Sequence, residues 1–184
     1  MTWATLVRDL LNKIGLGNYW IAQHVQNENY FLCILKQRLT DIFLQDWLSE
    51  VARTSSSRLY KHIIRDTFQF ESYLNMCNKQ LRICITKIRL SSHLFLIERG
   101  RWGRARVERS ERKCNVCNVV EDEFHCLFEC PRYSEERKGF VPERMIKRPS
   151  MYEFIKYLQS EDERMQRKLG MLCMRVQKEY KKYV

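Results

Sequence analysis

The stretch Cys114-Asn115-Val116-Cys117-Asn118-Val119-Val120-Glu121-Asp122-Glu123-Phe124-His125-Cys126-Leu127-Phe128-Glu129-Cys130-Pro131 sets the organisation of the chain. Two thiolates separated by two residues reach one metal ion from a single tight turn, and tetrahedral zinc takes sulfur at ~2.3 Å and imidazole nitrogen at ~2.0 Å. Neither short pair closes a tetrahedron alone, so a second pair must come from a neighbouring element. Residues 121–129 read as a short helix, with Glu121, Asp122 and Glu123 suiting its positive N-terminal end. Pro131 disfavours a helical conformation at Cys130, which lets Cys130 turn back toward the metal. His125 and Cys126 compete for the remaining position. In an unbroken helix Cys126 and Cys130 share a face, whereas His125 and Cys130 do not, so spacing leaves an all-cysteine site open.

One such site narrows the function classes. A RING-type module needs two sites and about eight ligands, and only one site can be assembled here. Four protein ligands leave no open position for catalysis, so the expected metal is one structural zinc. No Ser-His-Asp or Cys-His nucleophile pattern stands out, and no Gly-rich phosphate loop is present. His24, His62 and His93 read as isolated. Cys33, Cys77, Cys84 and Cys173 fall at apolar helical positions, where a buried free thiol is the default.

Outward from this segment the chain reads as helical. Trp3, Leu6, Val7, Leu10, Leu11 and Ile14 lie on one helical face that ends at Gly15-Leu16-Gly17. A second helix is predicted over residues 29–53, with Phe31, Ile34, Leu35, Leu39, Ile42, Phe43 and Trp47 as its stripe. Residues 59–64 are ambiguous between strand and helix. A third helix fits residues 78–89, with a turn or two more at 94–97. Ser150-Met151-Tyr152-Glu153 has the form of a capping box. The last helix spans 162–183, with Met165, Leu169, Leu172, Cys173, Val176 and Tyr180 inward. The predicted fold is mostly α, a helical domain with an inserted small Cys-Cys-His-Cys zinc knuckle. Its regions are 1–57 (N-terminal helices), 58–109 (helices and a basic connector), 110–138 (the knuckle) and 139–184 (C-terminal helices).

The charge is lopsided. The 184 residues include 33 Lys and Arg against 22 Asp and Glu, a net charge of +11, and such a surplus attracts polyanions. Between positions 79 and 113 stand eleven basic residues and three acidic ones, so most of the surplus directly precedes the metal ligands. Arginine dominates, which suits forked contacts to phosphate. Arg99, Arg101, Arg104, Arg106, Arg109, Arg112 and Lys113 are therefore candidate nucleic-acid contacts. Trp102 is read either as packing on the metal module or as stacking on an unpaired base. The start of the chain lacks the form of a signal peptide, and no apolar run reaches the ~18 residues of a membrane span. An intracellular location, cytoplasmic or nuclear, is expected, with no membrane partner; in a reducing compartment clustered cysteines point to metal.

Arg89-Leu90-Ser91-Ser92-His93, Ile97-Glu98-Arg99-Gly100-Arg101-Trp102, the Cys114–Cys117 pair with Glu111-Arg112-Lys113 before it, Glu121-Asp122-Glu123-Phe124-His125 and Leu127-Phe128-Glu129-Cys130-Pro131 resemble the C-terminal zinc-binding region of non-LTR (LINE-type) retrotransposon reverse transcriptases. The resemblance covers residues 79–138, with similar words in the flanks at Phe43-Leu44-Gln45-Asp46-Trp47 and Arg148-Pro149-Ser150. It implies that Cys114, Cys117, His125 and Cys130 are the ligands. It also implies a domain that helps a polymerase hold template RNA or target DNA, with a reverse transcriptase in trans as a further partner. The chain has no aspartate pair of a polymerase site and no room for an endonuclease domain, so no enzyme activity is expected. The alternatives are a zinc-stabilised protein-interaction module and a non-functional retrotransposon remnant.

Overall fold

The computed structural model describes residues 2–55, 58–64, 69–76, 78–102 and 106–183. It is mostly helical, 69% of the chain. Among the described residues the only extended pairing is an isolated antiparallel bridge between Lys113 and Val120. The chain divides into two compact units, Met1–Arg53 and Thr54–Val184. The three later regions form a single unit.

The N-terminal unit holds α1 (Trp3–Lys13), α2 (Gly17–Ala22) and α3 (Glu28–Arg53). The Thr2 hydroxyl caps α1 by accepting the Thr5 N–H. Gly15 then takes φ +73°, a left-handed conformation that suits glycine after a helix end. Leu11, Ile14 and Leu16 are buried, with Phe31, Ile34, Leu35 and Ile42 packed around them. Leu39 and Phe43 of the expected α3 stripe are exposed instead, as is Cys33. The α3 apolar residues are spread around the helix rather than confined to one face.

The larger unit contains α4 (Tyr60–Ile63), α5 (Lys79–Arg89), α6 (Leu96–Arg99), α7 (Ser134–Arg137), α8 (Glu143–Lys147), α9 (Met151–Gln159) and α10 (Glu163–Tyr180). Asn78 caps α5 through its Oδ1, which accepts from the N–H groups of Gln80 and Leu81. Asp162 caps α10 by accepting from Met165 at 2.9 Å. These two helices carry the centre of the core. Ile85 and Ile88 of α5 and Leu169, Leu172, Cys173 and Val176 of α10 are all nearly inaccessible to solvent. A Cβ on Gly170 would stand 2.9 Å from Leu81 Cβ, so the absence of a side chain there sets how closely α10 approaches α5. Cys84 is half-buried and Cys173 buried; Cys77 lies outside the described residues. Met165, expected inward, is exposed at the start of α10.

α9 covers this pair with Phe154, Tyr157 and Leu158. Ser150 stands at its N-cap but makes no side-chain capping bond. Glu153 pairs instead with Arg144 of α8 at 2.9 Å, so the capping box seen in the sequence does not form. No helix among the described residues is long and apolar enough to cross a membrane.

A candidate metal centre

The cysteine pair sits on a tight hairpin. The Cys114 N–H donates to Val119 O and the Asn118 N–H to Cys114 O, both at 2.8 Å. Asn118 adopts φ +56°, a left-handed conformation that asparagine tolerates better than most residues. The hairpin is anchored at its base by Lys113 pairing with Val120 and by the Glu121 N–H donating to Arg112 O at 2.8 Å. Glu121 O then accepts from the Ile97 N–H at 3.1 Å, tying the hairpin to α6.

The second ligand pair comes from a π-helical turn over His125–Glu129. On an α-helix, residues five apart are offset by roughly 140° around the axis. Here the Cys130 N–H donates to His125 O at 2.8 Å, the i→i+5 bond of a π-turn. The wider turn brings positions 125 and 130 onto one side. Cys130 itself has left the helix, with φ −59° and ψ 122°, as Pro131 requires. The Asp122 carboxylate caps the start of this segment by accepting the His125 N–H at 2.9 Å. Arg137 of α7 closes its end. The buried guanidinium donates to Leu127 O at 2.9 Å and to Cys130 O, supplying partners to carbonyls the helix end leaves open.

The ligand atoms of Cys114, Cys117, His125 and Cys130 all lie within 4.8 Å of one another. Cys130 Sγ is 3.8 Å from Cys114 Sγ and 3.8 Å from Cys117 Sγ. A tetrahedron with zinc–sulfur bonds of ~2.3 Å has sulfur–sulfur edges of ~3.8 Å, so the spacing suits a four-coordinate ion. The imidazole is oriented for the same task. Its Nδ1 is 3.3 Å from Glu129 Oε2, and a proton on Nδ1 directed at that carboxylate leaves the lone pair on Nε2. His125 Nε2 is buried with no hydrogen-bond partner, an arrangement a bound cation would satisfy. The four residues are compatible with one metal site. Cys126, the rival third ligand, is not among them; it is buried in the main core.

The thiols titrate as a group. Burial pushes Cys114 up, but the N–H groups of Val116 and Cys117, with His125 and Cys130, bring it down to about 7. Burial and the neighbouring Cys114 push Cys130 up to about 12, and burial raises Cys117. One sulfur therefore ionises readily in the metal-free chain, and a cation is needed to deprotonate all three.

The acidic trio does not act as a set of helix-end charges. Only Asp122 caps the turn. Glu121 and Glu123 are buried cross-links. Glu121 Oε1 accepts from the Leu96 N–H at 2.9 Å and from the Tyr180 hydroxyl at 2.6 Å, joining the hairpin to α10. Glu123 accepts from the Ser91 hydroxyl at 2.8 Å, faces His93 Nε2 at 2.9 Å and pairs with Arg58. Burial pushes its carboxyl up, but His93 and Arg58 outweigh that and hold it at about 2. His93, isolated in sequence, is thus part of a buried network. Its position between Ser91 and Phe95 gives no periodic signal to find it by.

The basic residues are divided. Arg112 is a correction to the expected phosphate contacts. It is buried, donating from Nε to Val107 O at 2.9 Å and from Nη1 to Ile97 O at 2.7 Å. Arg89 is likewise buried, bonded to Leu158 O and Glu71 at 2.6 Å each. Arg101 pairs with Glu98 at 2.9 Å and stands 5.3 Å from the Trp102 ring centroid. Trp102 is 76% exposed, so it does not pack on the metal module. Arg99, Arg106, Arg109 and Lys113 are exposed, and Arg104 lies outside the described residues. Arg109 lines a cleft of about 550 Å³ with Arg58, Lys61 and His62. Arg99 and Lys113 line a separate, smaller pocket.

Searches with protein-family models, among curated proteins and among solved structures found no match to this chain.

Proposed function

We propose that the chain is a non-catalytic nucleic-acid-binding domain held in shape by one structural zinc ion bound to Cys114, Cys117, His125 and Cys130. In this reading it serves like the tail of a retrotransposon reverse transcriptase, helping to hold template RNA or target DNA. Three thiolates and one imidazole form a donor set that suits zinc, and with all four positions taken by protein the ion has no place for substrate. When bound, the ion supplies charge that ionises the thiols and cross-links the hairpin to the π-turn. It adds no reaction step.

The observation that carries the nucleic-acid part is Trp102. A tryptophan 76% exposed, with the Arg101 guanidinium beside its ring, suits stacking on an unpaired base, and such stacking is worth about 1–3 kcal/mol. Around it in sequence, Arg99, Arg106, Arg109 and Lys113 make no ion pair with a described carboxylate. If about four of these cations meet phosphates of a single strand, log affinity falls with log salt at a slope of about −3.

Fluorescence anisotropy with an unstructured RNA across a salt series tests this. Trp102→Ala is expected to weaken binding by ~1–3 kcal/mol with the melting temperature unchanged. Binding that ignores salt, or a Trp102→Ala chain that binds as wild type, transfers support to the protein-interaction module.

A further inference from the structure

A small pocket is built on the residues that flank the metal ligands in sequence. It is lined by Arg99, Lys113, Asn115, Glu121, Arg132 and Tyr183, with a volume of about 150 Å³. Lys113 immediately precedes Cys114, Asn115 follows it, and Arg132 lies two residues after Cys130. Arg132 was not among the sequence candidates because it falls outside the basic connector. The fold brings it to Arg99 and Lys113 through the return of the π-turn to the hairpin.

Three cations therefore face one cavity. Among the described residues none of the three forms an ion pair with a carboxylate. The carboxylate at the pocket is Glu121, whose Oε1 is already engaged by the Leu96 N–H and the Tyr180 hydroxyl. Like charges held together repel, and this group is held by architecture. The Arg132 guanidinium donates to Asn115 Oδ1 and stands 4.7 Å from the Tyr183 ring centroid. The Lys113 backbone is held by its bridge to Val120. Arg99 closes α6, which is tied to the hairpin through Ile97. An oriented guanidinium with two further cations is the arrangement that recognises a phosphate oxyanion.

Size narrows the occupant. Pockets that enclose a whole small molecule run to about 300–1,000 Å³, and this one is smaller. It has room for one phosphate group, with the attached sugar and base outside. Tyr183 is 57% exposed and offers ring surface at the rim where such a base would lie. We infer that the pocket of Arg99, Lys113, Asn115, Arg132 and Tyr183 takes one phosphate of a nucleic-acid strand, an inference that rests on the nucleic-acid reading above. Because Lys113 and Asn115 on the hairpin and Arg132 at the exit of the π-turn form part of its wall, dismantling the metal site is expected to open the pocket.

The test uses the zinc-loaded full chain and two probes. With RNA, Arg99→Gln/Lys113→Gln is expected to weaken binding about ten-fold at moderate salt and to reduce the salt slope by about 0.7, the share of one single-strand phosphate. Both positions are exposed, so the fold is expected to hold; Arg106→Ala/Arg109→Ala serves as the connector control. With inorganic pyrophosphate at millimolar concentration, saturable NMR shifts are expected at the Asn115 side-chain amide and at Tyr183. They should vanish in the double variant and after chelation of the metal. If the connector control weakens RNA binding while the pocket variant binds as wild type, the pocket inference is overturned and the nucleic-acid reading stands. If RNA does not bind but pyrophosphate shifts these residues saturably, the site is an anion site and the nucleic-acid reading falls. No saturable shift with pyrophosphate overturns the pocket outright. RNA carrying a 5′-phosphate that binds much more tightly than its 5′-hydroxyl form assigns the site to strand ends; equal binding assigns it to internal phosphodiesters.

Discussion

The choice between His125 and Cys126 makes a sharp experiment, because the two residues are adjacent and do opposite things. Replacing Cys126 by Ala removes one buried sulfur from the core without touching the cluster. The loss is about that of one buried methylene with a small cavity, ~1 kcal/mol, which lowers the melting temperature of a unit this size by roughly 3–5 °C. Replacing His125 by Ala removes a ligand. Partners that merely orient a ligand are worth about 10–100-fold in metal affinity, so loss of the ligand itself costs more than ~100-fold. In excess zinc that corresponds to at least ~2.7 kcal/mol of stability. The two variants also respond oppositely to a chelator. The His125→Ala deficit shrinks when wild type is stripped of metal, while the Cys126→Ala deficit is unchanged. Thermal melts with and without chelator, combined with metal analysis, read both quantities. The visible spectrum of the cobalt-substituted chain reports whether three or four thiolates are bound. A Cys126→Ala chain that loses its metal, beside a His125→Ala chain that keeps one equivalent, would refute the π-turn assignment.

Two further outcomes follow from the same geometry. Metal affinity should climb with pH by about two log units per pH unit above 7 and more steeply below it, because Cys117 and Cys130 stay protonated through neutrality while Cys114, at about 7, is already ionised on the alkaline side; competition with a chromogenic chelator from pH 6 to 8 measures this, and a flat profile contradicts it. Gly170→Ala should cost about 1–3 kcal/mol by overpacking, since the new Cβ meets Leu81 Cβ at 2.9 Å; a denaturant midpoint unchanged from wild type would show that α5 and α10 separate freely.

The helical frame is legible in sequence because apolar residues recur at helical spacing on α5 and α10, where one face meets a core. It was less legible on α3, whose apolar residues surround the helix, so Cys33, Leu39 and Phe43 were expected inside and stand exposed. The ligand spacing gave the first pair directly. The second pair is ambiguous in sequence for a physical reason: on an α-helix positions 125 and 130 face apart, whereas the segment winds as a π-turn with the wider i→i+5 repeat. The buried charges were the least legible. Glu121, Glu123, Arg89, Arg112 and Arg137 carry no sequence mark that separates them from surface residues, since each is paired outside its own helical turn: Arg89 with Leu158 O, Glu121 with Tyr180, Arg137 with Leu127 O.

These buried partners explain why the metal module cannot be treated as an insert on a finished helical domain. Leu127 and Phe128 of the π-turn are essentially inaccessible, and the Phe128 ring packs tilted against Phe154 of α9, with centroids 5.0 Å apart. Glu121 holds Tyr180 of α10, and Tyr180 meets Phe95 edge-on at 5.1 Å. The same five-residue turn therefore presents His125 to the cluster and Phe128 to the core. In sequence alone, a mutated ligand would be expected to unfold residues 110–138 and leave the helices standing. In the folded chain, releasing the turn also withdraws Leu127 and Phe128 from α8 and α9 and opens the carbonyls that Arg137 satisfies. Each fully buried large apolar side chain is worth about 1.5–3 kcal/mol, against a total stability of about 5–15 kcal/mol for a typical domain. If the cluster holds a metal, its loss would remove a substantial fraction of what holds Thr54–Val184 together, and the effect of mutating Cys114, Cys117, His125 or Cys130 should reach α9 and α10 rather than stop at the hairpin.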